Sequence, residues 1–269
     1  MCSGGDQMKF IKNILLAFCL SVSLPMVGHD NFNNTQKNQQ RAMYAIVMDN
    51  GKPKGDSDRE AAGCTAYAIS DHVLLTAEHC NLDGGSLYLN PEMRNGHAVL
   101  SNPIEVSEKI FDHQDHMLLV IHGIKFKYHI KYEPRVPVQG EHVYFFGNPS
   151  LIHDQYREGY VTGSMESPKD ADVDASATLF LFALPVVGGD SGSSIFSADG
   201  TLIALCTFGI DDGQLMGGYA LAFTSEQIKH SEGKGNFKYL PDTRIVINVI
   251  MPTAPKAPEP PLPPQTDQP

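Results

Sequence analysis

Three residues of this chain have the types and surroundings to do covalent chemistry together. Ser191 sits in Gly188-Gly189-Asp190-Ser191-Gly192-Ser193. Glycines on both sides let the backbone turn tightly and aim successive N–H groups at one spot, which is what an oxyanion forming beside the hydroxyl requires. His79 ends the run Leu74-Leu75-Thr76-Ala77-Glu78-His79-Cys80. A strand end there would hold an imidazole rigidly with its edge open to a cleft. Asp115 stands just before the apolar run Met117–Ile121, where a carboxylate can orient an imidazole. Hydroxyl, imidazole and carboxylate would then act as nucleophile, general base and orienting group. Each residue taken singly has a plainer reading: a turn serine, a core histidine, two unpaired thiols at Cys64 and Cys80. Their joint occurrence favours the chemistry.

The elements that must position them are short strands. Val73, Leu74 and Leu75 read as a strand buried on both faces, with Thr76 and Ala77 turning the chain out of it. A first set of strand-like runs comprises 44–48, 66–69, 73–75, 86–89 and 118–121, separated by Gly, Asn, Asp and Pro. A second set comprises 142–146, 159–162, 178–184, 194–196, 202–208 and 219–223. Only 224–230 reads as a short helix. Strands at this spacing predict barrels or sandwiches. The expected organisation is a leader at 1–28, a flexible polar spacer at 29–42, an N-terminal barrel at 43–132 and a linker at 133–140. A C-terminal barrel at 141–251 and a disordered proline-rich tail at 252–269 complete it.

Composition bounds the alternatives. The 269 residues are 42% hydrophobic and 19% charged, as in globular chains that bury a core. A net charge of -11 disfavours a nucleic-acid partner. Lys9 and Lys12 precede the apolar stretch Ile14–Val27, the layout of a secretory signal peptide and too short for the roughly 20 residues of a spanning helix. The expected location is therefore secreted or periplasmic, with no stable membrane insertion after cleavage. Cys2 and Cys19 would leave with the leader, so that Cys64, Cys80 and Cys206 remain. An oxidising compartment allows one disulfide and leaves one thiol. Cys206 lies in an apolar run and reads as an inert core residue. Asp112-His113-Gln114-Asp115-His116 holds four potential ligands, but one pentapeptide rarely closes a zinc site. No metal and no cofactor is expected.

Together the motifs resemble the chymotrypsin-like (trypsin fold) serine endopeptidases. Thr76–Cys80 resembles the family's histidine box, Gly189–Gly192 its nucleophile motif, and the order His, Asp, Ser is the family's. Phe146-Gly147-Asn148-Pro149, followed by Gly159-Tyr160-Val161, is closer to bacterial members. The resemblance spans about residues 43–230. It implies an all-β fold of two packed antiparallel six-stranded barrels with the active site between them, and a Cys64–Cys80 disulfide. It implies His79, Asp115 and Ser191 as catalytic residues and the N–H groups of Gly189 and Ser191 as oxyanion hole. Thr207, Phe208 and Gly209 resemble the segment that pairs with the substrate backbone, and Gly217–Ala220 the strand behind the specificity pocket.

The chain departs from the family in several places. Glu78 replaces a small residue, His116 an aliphatic one, and Asp112 competes with Asp115 for the role of orienting acid. No segment resembles the new amino terminus that cleavage exposes in many members, so activation by inserting one against Asp190 is not expected. By the family's offset Pro185 lies at the pocket base, without an acid to receive lysine or arginine. With Gly209 and Gly217 as walls, cleavage after apolar or aromatic residues is expected. The substrates would be proteins or peptides, and the tail would offer a site to a further partner. Two other functions share these motifs: an inactive protease-fold binding protein, and a surface interaction protein that uses its tail.

Overall fold

The run Met43–Asp49 forms strand β1, and all 7 of its residues are buried. It belongs to a computed structural model that describes residues 32–53, 60–82, 84–95, 97–167, 173–174, 177–210, 213, 215–233 and 238–239. The expected leader and the proline-rich tail lie outside the described residues. After β1 come β2 (Ala61–Ala68), β3 (Val73–Ala77), β4 (Ser86–Leu89), β5 (Glu92–Arg94), β6 (His97–Val99), β7 (Val106–Phe111), β8 (His116–Ile121) and β9 (Ile124–Lys125). Six of these strands make one sheet in the order β4-β1-β2-β3-β8-β7. The amide of Ile104 donates to the carbonyl of Leu87 at 2.7 Å. That bond brings the chain entering β7 back to β4, so the sheet curls on itself. Ile46, Met48, Leu74, Leu87, Leu119 and Phe126 fill its interior. The unbroken burial of β1 and β3 is why these strands read as apolar runs rather than as alternating ones.

The second sheet takes β10 (His142–Gly147), β11 (Gln155–Glu166), β12 (Thr178–Phe182), β13 (Ser194–Ser197), β14 (Leu202–Leu205), β15 (Phe208–Ile210) and β16 (Leu215–Tyr219). Its order is β14-β13-β10-β11-β12-β16-β15. The edge strands β14 and β15 are consecutive in the chain, joined only through Cys206 and Thr207. The chain itself therefore closes this sheet, and the expected six-stranded barrel has seven strands because one extended run is divided in two. Val143, Phe145, Phe180, Phe182, Ile195 and Cys206 pack inside it. The two sheets are thus the pair of antiparallel barrels that the resemblance implies. Tyr67 of β2 joins them: its buried hydroxyl donates to the carbonyl of Phe146 in β10 at 2.7 Å.

Helix α1 (Asn34–Ala42) stands where the sequence reads as a flexible spacer. It has little apolar stripe, and polar contacts fasten it instead. Gln39 Nε2 donates to the carbonyl of Gly200 at 2.9 Å, and Gln39 Oε1 accepts from the hydroxyl of Tyr144 at 2.7 Å. Helix α2 (Ser225–Ser231) is started by a capping box of Thr224 and Gln227, close to the helix expected there. The two-residue strand β17 (Lys238–Tyr239) pairs in parallel with β9. Among the described residues no helix is long and apolar enough to cross a membrane.

Candidate active site

Strand β3 ends at Ala77, and the next residues, Glu78–Cys80, make one turn of 3-10 helix. The Cys64–Cys80 disulfide, with Cα atoms 6.3 Å apart, fastens that turn to β2. Antiparallel pairing of Ala77 with His116 sets the end of β3 beside the start of β8. Asp115, just before β8, therefore reaches the turn. Its carbonyl accepts from the amide of Glu78 at 2.9 Å, and its Oδ1 accepts from the amide of His79 at 2.9 Å. Its Oδ2 lies 2.8 Å from His79 Nδ1. An ionised carboxylate only accepts, so Nδ1 carries the proton and Nε2 is left with the lone pair that a base needs. The side chain of His79 is 43% exposed.

Asp112, the competing acid, does not face His79. It pairs with His116 instead, Oδ2 to Nδ1 at 2.7 Å, and both side chains are 0% exposed. Burial alone would raise the Asp112 pKa, but hydrogen bonds from His116 and from the amides of Ala222 and Gln114 hold it below the usual aspartate value.

The Ser191 turn precedes β13, and two of its glycines are dictated by space. Gly189 has φ +102°, and a Cβ there would lie 2.5 Å from the carbonyl oxygen of Asn148. Gly192 has φ +82°, and its Cβ would strike Thr76 Oγ1 at 2.3 Å and the amide nitrogen of Ala77 at 2.9 Å. The turn is thus seated against the strand end that carries His79, which places Ser191 beside that histidine's turn. Thr65, next to Cys64, holds it there. Its amide donates to the carbonyl of Ser191 at 2.8 Å, and its hydroxyl donates to the carbonyl of Gly189 at 2.8 Å.

The amide of Ser150 donates to the carbonyl of Gly188 at 2.6 Å. In a trans peptide the N–H points opposite to the C=O, so this bond turns the N–H of Gly189 the other way. Among the described residues, neither that N–H nor the N–H of Ser191 donates a hydrogen bond. Both remain free for a developing negative charge. Asp190 is fully buried, and its Oδ2 lies 2.7 Å from Arg157 Nη1 on β11. Burial raises its pKa, and the Arg157 guanidinium partly offsets this. Arg157 occupies the charge-pairing role that an inserted amino terminus would fill.

The residues expected to receive substrate are less uniformly placed. Phe208 and Gly209 lie on the edge strand β15, where a further strand could pair. Thr207 is buried, and among the described residues its Oγ1 has no partner. The space beside both wall glycines is already taken. A Cβ on Gly209 would lie 2.8 Å from Val186 Cγ1, and one on Gly217 would lie 2.7 Å from the Phe208 ring. Pro185 is exposed, not at the base of a pocket. Cys206 is a buried free thiol whose pKa burial pushes well up. Among the described residues no group of three or more His, Cys, Asp or Glu is arranged to hold a metal. Sequence reasoning missed Thr65, Ser150 and Arg157, for which no local motif gives a signal.

No family model matches the chain, and no curated protein matches it in sequence. Solved structures do. The active form of the Rv3671c protease from M. tuberculosis superposes with a TM-score of 0.52 at 15% identity, over 74% of this chain and 82% of that one. The inactive form of the Rv3671c protease gives a TM-score of 0.50 at 15% identity, over 74% of this chain and 91% of that one. At such identity the likeness speaks to architecture, and it agrees with the two closed sheets. This chain has the chymotrypsin-like, or trypsin-type, double-barrel fold.

Proposed function

We propose that the protein is an exported serine endopeptidase. Ser191 attacks the peptide carbonyl, and His79 takes its proton at Nε2 and returns it to the leaving amine. Asp115 holds the imidazole tautomer, and the N–H groups of Gly189 and Ser191 receive the oxyanion. The observation that carries this reading is the Ser191 turn, seated against the strand end of an Asp115-bound His79 with both its amides unbonded. The name of the structural neighbour, a protease, supports it. The Cys64–Cys80 disulfide supports folding in an oxidising compartment, in keeping with the leader expected at residues 1–28.

The expected preference for large apolar or aromatic side chains is revised. Val186 fills the room beside Gly209, so the residue before the scissile bond is small and apolar. Pro185, where the family's offset would put a balancing acid, carries no charge for a lysine or arginine, and burying an unpaired cation is unfavourable. The test is labelling of purified protein with a fluorophosphonate probe, combined with cleavage profiling on peptides that differ only before the scissile bond. Wild type should be labelled and should prefer alanine- or valine-sized residues, whereas Ser191→Ala should lose both activities while melting as wild type does. Labelling that persists in Ser191→Ala would remove Ser191 from the mechanism, and a preference for Lys, Arg or Phe would remove the role of Val186.

A further inference from the structure

Behind the His79–Asp115 pair lies a second carboxylate–imidazole pair that the proposed reaction does not use. Asp112 and His116 bracket Asp115 in sequence, and their side chains are wholly buried. Each oxygen of Asp112 receives two N–H groups. Oδ1 accepts from the amides of Gln114 at 2.9 Å and His116 at 3.3 Å. Oδ2 accepts from His116 Nδ1 at 2.7 Å and from the amide of Ala222 at 3.0 Å. The last bond crosses from the first barrel to the segment that follows β16 of the second. Two neighbouring bonds cross as well. Gln227 Nε2 donates to the carbonyl of Phe111 at 3.1 Å, and the amide of Asp174 donates to the carbonyl of His113 at 3.0 Å.

The loop so gripped is strained. His113 and Asp115 have φ of 60° and 62°, a left-handed conformation that a Cβ disfavours. In that conformation Asp115 points its carboxylate at His79 and its carbonyl at the amide of Glu78. A strained conformation persists only where its surroundings over-determine it. Here those surroundings are the four hydrogen bonds to Asp112 and the imidazole that closes them. Because carboxylate Oδ2 only accepts, His116 donates from Nδ1, and among the described residues its buried Nε2 has no partner. His116 is therefore a fixed donor to Asp112.

We infer that Asp112 and His116 form a positioning pair that sets the conformation of Asp115, and so the reach of its carboxylate to His79, while bracing the first barrel against the second. This rests on the proposed serine-peptidase reading, in which the Asp115–His79 geometry matters for turnover. Asp112 and His116 touch no reacting atom; they act through Asp115.

The test compares three variants. Asp112→Asn sets an NH₂ against two N–H donors whichever way the amide turns. His116→Leu removes the donor, and His116→Asn restores it at nearly the same place, since Asn Nδ2 overlays His Nδ1. For folded Asp112→Asn and His116→Leu we expect kcat to fall about 10²-fold, as for a misplacement of about 1 Å, with KM little changed. His116→Asn should recover most of the loss. Independently of turnover, the His79 Nδ1–H proton resonance should move or broaden in the first two variants and return in the third. Wild-type kcat and an unmoved resonance in folded Asp112→Asn would overturn the proposal. So would a loss of activity that merely tracks the unfolded fraction, or a failure of His116→Asn to rescue. The resonance keeps the two readings apart: if it shifts as expected while Ser191 is never labelled by probe, the positioning stands and the peptidase reading fails.

Discussion

The segment 112–116 carries the whole of one carboxylate–imidazole pair, Asp112–His116, and half of a nearly identical one, Asp115–His79, and the contrast between them is instructive. His79 and Asp115 meet at 2.8 Å with side chains 43% and 13% exposed. His116 and Asp112 meet at 2.7 Å with both side chains at 0%. In each pair Nδ1 donates to Oδ2, so the local chemistry is the same. The surroundings differ. An open Nε2 on His79 can take a proton from a hydroxyl and hand it to a leaving group. Among the described residues the buried Nε2 of His116 has no partner to exchange with. One pair can turn over while the other can only hold, and exposure decides which.

The largest expected effect separates the two. Asp115→Asn should lower kcat by about 10⁴-fold, because an amide can leave His79 in the wrong tautomer. Its melting temperature should stay close to wild type, since the site is partly solvated. The buried pair should show the reverse balance, with the smaller loss of turnover argued above and the larger loss of stability, roughly 3 kcal/mol for stripping a buried carboxylate of its partner. Urea midpoints and steady-state kinetics on the same preparations would check this. A crippling Asp112→Asn beside a mild Asp115→Asn would reverse the assignment.

A third pair extends the comparison. Arg157 and Asp190 are also largely enclosed, with side chains 16% and 0% exposed, and they lie under the Ser191 turn. Arg157→Met should leave the Asp190 carboxylate buried and unpaired, at a loss of about 3–5 kcal/mol if it stays charged and less if it takes up a proton. It should also slow probe labelling of Ser191, since Asp190 separates the two free amides. An unchanged midpoint with unchanged labelling would show that the turn holds its shape without Arg157.

What could be read from the sequence follows from how local each constraint is. Gly189 and Gly192 announce themselves because no other residue fits their φ and their contacts. The end of β3 is visible because burial on both faces makes an uninterrupted apolar run. Thr65 is different. Its hydroxyl meets Gly189 across 124 residues and Asn148 across 83, so its role depends on how two barrels meet. Arg157 reaches Asp190 across 33 residues within the second barrel, a contact that no local motif announces. Helix α1 was hidden for a related reason: its anchor Gln39 binds partners 105 and 161 residues away, and its own sequence has little apolar stripe. The space beside Gly209 was not legible, because a glycine leaves room without saying who takes it, and Val186 Cγ1 lies 2.8 Å from where its Cβ would be.

The smallest expected effect tests the electrostatics of the two buried aspartates, which run in opposite directions. Asp112 titrates below its ordinary 3.8, since its hydrogen bonds to His116 and to backbone amides outweigh burial. It binds a proton less tightly when folded, so its contribution to stability is present above that ordinary value and is lost as pH falls through the lowered one. Asp190 titrates above its ordinary 3.8, because burial outweighs the Arg157 guanidinium. It binds a proton more tightly when folded, so its contribution is full below the ordinary value and declines as pH rises through the raised one. The stability advantage of wild type over Asp112→Asn should therefore shrink as pH falls below about 4. Its advantage over Asp190→Asn should shrink as pH rises above about 4. Each difference also contains a constant part from broken hydrogen bonds, so the slopes carry the test. Urea melts from pH 3 to 7 would give both slopes. Slopes of the same sign would mean that at one of the two carboxylates the balance between burial and its hydrogen-bonding partners runs the other way.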